Sequence, residues 1–213
     1  MNRTWKDYTV LFFSLLLAFF SFYTGGLGAL VPPTQRGIHV LLIFPVVLFM
    51  KDSKVFSGVM EDAFNIFLAV LSCVAFGYYV LNWERLYSEP SLSAVDMAMG
   101  VIGILIVLEV TRRTVGLGIT GIIIAFILYA IFGRQVPHDF LAHQGFTPEQ
   151  VVYLVFYGTE GIFSVPVGVC ATFIVMIVIS SVGLSEFSLT DSLGLLSPSK
   201  KPPLSITKML EVI

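Results

Sequence analysis

The sequence predicts an all-α polytopic membrane protein of about six transmembrane helices, with both termini on the cytoplasmic side. Three observations predict it. First, 56% of the 213 residues are hydrophobic and only 12% are charged, with a mean hydropathy of +0.91. A soluble domain of this length cannot bury so much apolar surface. Second, the apolar residues form continuous runs near span length, without the alternation of barrel strands. Third, Lys and Arg counts alternate along the chain between the runs.

Six apolar runs can be drawn, at about 9–31, 37–50, 63–82, 94–110, 114–133 and 162–184. About 20 helical residues cross a hydrocarbon core of about 30 Å. Five runs come near that length. The first is too long for a signal-peptide core and no clean small-x-small cleavage site follows it, so it is expected to remain. The second is short and Pro45 interrupts it. Residues from Val31 on can lengthen it, with Arg36 snorkelling outward. A re-entrant second segment stays open as the alternative.

The basic residues bear on that choice. Arg3 and Lys6 precede the first run, Arg36 follows it, and Lys51 and Lys54 follow the second. Arg85 follows the third, Arg112 and Arg113 the fourth, Arg134 the fifth, and Lys200, Lys201 and Lys208 the sixth. The positive-inside rule then places the N-terminus, the 51–62 loop, the 111–113 loop and the tail in the cytoplasm, provided the second run crosses. Trp5 and Tyr8 flank the first run, and Tyr78, Tyr79 and Trp83 close the third, as interfacial aromatics do.

The 134–160 connection is mixed in character. Thr147 can cap a helix with Gln150 at the capping-box position, and Pro148 suits the first turn. Val151, Val152, Leu154, Val155 and Phe156 give that helix an apolar side. It reads either as an amphipathic helix in the outer interface or as an extension of the last span. Residues 185–213 are rich in Ser, Leu, Lys and Pro and read as a disordered tail.

Polar groups within spans are few, and such groups are costly and commonly functional. Glu109 has Arg112 three residues on and Arg113 four on, which gives a helix-end ion pair or a cytoplasmic latch to a neighbouring helix. Asp96 is placed to cap the fourth helix. His39 is the only histidine within an apolar run, and a satisfied interhelical hydrogen bond is its expected role. His138 and His143, beside Asp139, are weak candidates for a metal. Cys73 and Cys170 read as small packing residues. No nucleophile elbow, phosphate loop, HExxH or CxxC pattern occurs, so neither an enzyme nor a cofactor is implied. A net charge of −2 offers nothing to nucleic acid. The glycines at 25, 26, 28, 100, 103, 116, 118 and 121 point to close helix packing.

One stretch is unlike the rest. TEGIFSVPVGVCATF (159–173) opens the last run, yet Gly161, Pro166 and Gly168 break it and Glu160 sits at its lip. Pro166 removes a backbone donor and crowds the preceding turn. Carbonyls freed in this way need protein or water partners, as in the broken helices of transporters. A kinked span packed on its neighbours is the plainer alternative.

This stretch and its surroundings resemble a known family. AHQGFTPEQVVYLVFYGTEGIFSVPVGVCATFIVMIVI resembles the junction in fused permeases of tripartite ATP-independent periplasmic (TRAP) transporters of the TAXI type. There TEGIFG-P-GVSATF commonly opens the large transport domain. LEVTRRTVGLGI (108–119), LYAIFGRQVPHDFLAHQGF (128–146) and RGIHVLLIF (36–44) are also similar to that family. The likeness covers roughly residues 5–180. It implies a small four-helix domain over 1–113, a connecting helix and outer loop over 114–146, and an interfacial helix and first span of the transport domain over 147–184. It further implies uptake of an organic anion across a bacterial inner membrane, with a periplasmic solute-binding protein and the large permease domain as partners. Ser164 stands where the family usually has glycine. After Ile179 the family continues with an FGAFLEKSG-like turn and many more helices, whereas this chain departs from that pattern. The expectation is a permease truncated or frameshifted near residue 180 and inactive alone, so no substrate or ion residue is carried over. A small accessory or scaffold subunit that binds a partner in the bilayer is the alternative.

Overall fold

The computed structural model describes residues 5–28, 30–51, 53, 58–88, 91–135, 144–174 and 177. Among them all regular structure is helical, and five helices are long and apolar enough to cross a membrane. The chain is an all-α polytopic membrane protein. His138, Asp139, His143 and the 185–213 tail lie outside the described residues.

Helix α1 spans Trp5–Gly26 and packs along α2, Pro32–Met50. Its buried positions Val10, Leu17, Ser21 and Thr24 fall on one stripe at helical spacing. Helix α2 differs from its reading as a short interrupted run. It is continuous for 19 residues, about 28 Å, and so has the length to cross. Pro32 and Pro33 open it, where a missing N–H costs no helical bond. Pro45 stays inside the helix and is fully buried against its neighbours. Packing of α2 on α3 outweighs the one lost hydrogen bond.

Helix α3, Val59–Ser88, is 30 residues long and outruns its apolar core at both ends. Lys6 of α1 pairs with Asp62 in its first turn. Helix α4, Ala94–Thr114, starts at a capping box in which Ser93 and Asp96 satisfy each other's backbone N–H. The α4–α5 turn is tight. It passes through Gly116 at φ 110°, a conformation that disfavours any side chain. Helix α5, Leu117–Phe132, is apolar all round and buries only Thr120.

The connection after α5 returns into the bundle. Phe146 N–H donates to the Ala130 carbonyl (2.9 Å), and Thr147 caps α6, Pro148–Val152, through the expected box with Gln150. Residues Tyr153–Tyr157 continue α6 as a wider π-type turn. The chain then turns over 158–164 and resumes as α7, Val165–Val169, which widens again at Cys170–Ile174.

One expectation for this region is corrected: helix α6 does not run straight on as an extension of the last span, because the turn at 158–164 separates it from α7. Its apolar side is packed on the bundle, with Val151, Val152, Phe156 and Tyr157 all buried. The physical reason lies on α4. Gly100 and Gly103 leave a groove, with Val152 and Tyr157 against the first and the Phe156 ring against the second. Gly103 is about 14 Å along α4 from its start, so the segment reaches roughly half-way through the bundle. One apolar core therefore joins α2, α3, α4 and residues 152–163, across the boundary expected at residue 147.

Candidate functional site

The site is the turn that ends α6 and begins α7. An aromatic cluster holds it. Phe163 stacks on Tyr79 of α3 with ring centroids 3.9 Å apart and planes 5° from parallel. Phe76 meets Phe44, Phe156 and Phe163 at 5.0, 5.6 and 6.0 Å. Phe76, Tyr79, Phe156, Tyr157 and Phe163 are completely buried. Such ring pairs add roughly 1 kcal/mol each beyond the area they bury.

The helix breakers now have a local explanation. Ile162 N–H reaches back to the Val155 carbonyl (2.8 Å), and a side chain at Gly161 would collide with the Val155 and Leu154 carbonyls. Gly161 thus lets the turn fold onto the end of α6. Pro166 sits in the first turn of α7, where it starts a helix rather than kinking one. This corrects its reading as a break within a continuous span. Glu160 is exposed at the turn.

Arg36 completes the turn. Its Nη1 donates to the Phe163 carbonyl at 2.7 Å. That carbonyl precedes Pro166 by three residues and lies where the helical ladder is interrupted. A charge-assisted bond supplies the partner that lipid cannot. Gly168 leaves room for the guanidinium, whose Nε would be 2.8 Å from a Cβ placed there. Arg36 is therefore turned onto the protein, not snorkelled outward as expected. The signal for it was present: Arg36 is the only Lys or Arg between Lys6 and Lys51.

Two polar clusters tie opposite ends of α4 to the other helices. At the start, the fully buried Asp96 accepts from Arg85 Nη2 (2.5 Å) and Nη1 (3.2 Å) and from Tyr78 Oη (2.6 Å). Tyr157 Oη donates to the Asp96 carbonyl (2.7 Å), so this cluster also holds the end of α6. The Glu149 carboxylate accepts from Leu92 N–H (3.0 Å). Sequence reading found the cap at Asp96 but not Arg85 or Tyr78. Their positions seven residues apart on α3 were the available clue.

At the other end, Glu109 accepts from Arg112 through Nε and Nη2 and from Arg113 through Nε, each at 2.8 Å. Arg113 is buried and its Nη1 also donates to the Asn65 side chain (2.7 Å) and to the Leu48 and Lys51 carbonyls (3.2 Å each). Arg112 Nη2 reaches the Ser53 carbonyl (2.8 Å). The pair within one helix thus extends to the end of α2 and the start of α3. These last carbonyls of α2 carry the negative end of its dipole, which favours the two cations.

The remaining candidates do not gather into a site. His39 is buried on α2, and its Nδ1 has no hydrogen-bond partner among the described residues, contrary to the satisfied bond expected. Cys73 and Cys170 are free thiols. Among the described residues no three His, Cys, Asp or Glu side chains are grouped to hold a metal.

The arrangement is a helix driven half-way into a bundle, reversed on glycine and proline, and pinned by one arginine. Compared with known proteins, the chain matches no protein-family profile, no curated protein and no solved structure.

Proposed function

We propose that this chain is the small-domain portion of a TRAP-type permease, carrying in its core the segment that leads to the transport domain. The bacterial inner membrane is its proposed location. A soluble periplasmic binding protein delivers an organic anion to the assembled permease, and the described residues support that assembly without binding the anion themselves. The observation that carries the reading is the broken segment 148–174. Transporters use interrupted helices where backbone must be reached or moved inside the bilayer, and they satisfy the freed groups with protein. Here Arg36 does so at Phe163, and Gly161 and Pro166 supply the reversal.

The test is co-expression of the tagged chain with the solute-binding protein and large permease domain encoded at the same locus, followed by uptake in proteoliposomes. Expected are a detergent-stable complex with the large domain, binding-protein-dependent uptake by the complex, and none by the chain alone. A stable complex that never takes up an organic anion would favour the accessory or scaffold reading instead. A locus that encodes neither partner would end the transport reading.

A further inference from the structure

We infer that the cleft between the start of α2 and α7 binds the phosphate of a membrane phospholipid, with its acyl chains along the apolar rim. This does not rest on the transport reading. The cleft, of about 280 Å³, has Gln35 and Arg36 on one wall and Thr172 on the other. Its rim is apolar and open: Val165 is 66% exposed, Phe173 65% and Val169 41%.

Four observations point to an anion. No ion pair among the described residues involves Arg36. The sequence has no Asp or Glu between Asp7 and Asp52, nor from 161 to 185, so neither wall can supply one. Glu160, at the turn, is exposed and pairs with no cation among the described residues. A cation this close to the bilayer without a counter-charge is costly.

Gln35 is the second observation. It is mostly buried and lines the cleft, and no hydrogen bond of its side-chain amide is found among the described residues. An amide that opens only onto a cleft is available to a ligand there. Third, Arg36 spends Nη1 on the Phe163 carbonyl and keeps further N–H donors in a fixed fork, which suits phosphate oxygens. Fourth, the positive end of the α2 dipole lies at the same place; Pro32 and Pro33 carry no N–H to offer an anion, so the donors there are the side chains of Gln35 and Arg36. Arg36 lies about 6 Å along α2 from its start, near one end of a helix long enough to cross. An open apolar rim beside a cationic floor fits an amphiphile better than a free ion.

The test uses the whole chain, purified in detergent and stripped of lipid. Dioleoyl phosphatidylglycerol, dioleoylglycerol and inorganic phosphate are the probes, and native mass spectrometry is the readout. The expected result is retention of phosphatidylglycerol, none of dioleoylglycerol, and no displacement by excess phosphate. Arg36→Gln should weaken retention about tenfold, the loss of one charge-assisted bond. Gln35→Leu leaves the bond to Phe163 intact and should weaken it by a smaller factor, about threefold. It decides the matter should Arg36→Gln fail to fold by circular dichroism. Unchanged retention in a folded variant would overturn the inference. So would equal binding of dioleoylglycerol, which would make the cleft merely apolar, or displacement by phosphate, which would make it a small-anion site.

Discussion

Helix α5 and the segment 148–163 are neighbours in sequence with opposite fates. Helix α5 is uninterrupted and apolar on every face, yet among its residues only Thr120 is buried. The following segment begins with Pro-Glu-Gln, is broken twice, and buries Val151, Val152, Phe156, Tyr157 and Phe163. Apolarity alone does not choose which segment enters the core. In a bilayer lipid satisfies an apolar face as well as protein does, so packing and polar contacts decide. Helix α4 offers both to the second segment: the groove at Gly100 and Gly103, and the Asp96 carbonyl that Tyr157 bonds.

The largest effect that sharpens this contrast is loss of a core ring. Phe156→Ala or Phe163→Ala should destabilise the chain by about 3–5 kcal/mol, while Phe126→Ala on α5, where the ring is 66% exposed, should change stability by less than about 0.5 kcal/mol. Thermal unfolding of the three variants in one detergent measures it. Equal effects would erase the distinction between the two segments.

Next is the far end of α4. Arg113→Met removes a buried cation that ties α4 to the end of α2 and the start of α3, with an expected loss of about 3 kcal/mol. Arg113→Lys should recover only part of it, because one ammonium cannot reach Glu109, Asn65 and both carbonyls together. Full recovery by lysine in urea or heat denaturation would show that charge alone matters there.

The smallest effect is at the start of α6. Thr147→Ala should cost about 1 kcal/mol and be felt locally, as faster amide exchange over the first turn with little change at α5. Exchange that speeds equally across both segments would mean that they open as one unit.

Much of this architecture was legible in the sequence, and the reasons are specific. The spans at α1, α3, α4 and α5 followed from run length, that at α2 from the alternation of basic residues, and the α6 capping box from Thr147 with Gln150; Asp96 was read as a cap, but its box with Ser93 was not. The Glu109, Arg112 and Arg113 spacing gave the ion pair, though not its reach to Leu48, Lys51 and Asn65. What sequence missed was non-local. Nothing near residue 156 tells that a ring there fills a groove 53 residues earlier at Gly103. Nothing near Arg36 tells that it bonds a carbonyl 127 residues later. Helix α2 was under-read because Pro45 was judged by its local cost, without the tertiary packing that surrounds it. The breakers in 159–173 were visible as breakers. Whether they kink a span or end one helix and begin another depends on what lies behind the turn.

The central claim is that residues 148–157 sit inside the bundle against α4. A double-mutant cycle of Gly103→Ala and Phe156→Ala, read by thermal unfolding in detergent, tests it most directly. Gly103→Ala should be clearly destabilising when Phe156 is present, because the added methyl meets that ring. In the Phe156→Ala background the same change should be neutral or stabilising, since alanine is the better helix former. A coupling of about 1–3 kcal/mol is expected. If Gly103→Ala has the same effect in both backgrounds, the ring is not against α4 and the buried placement of this segment is wrong.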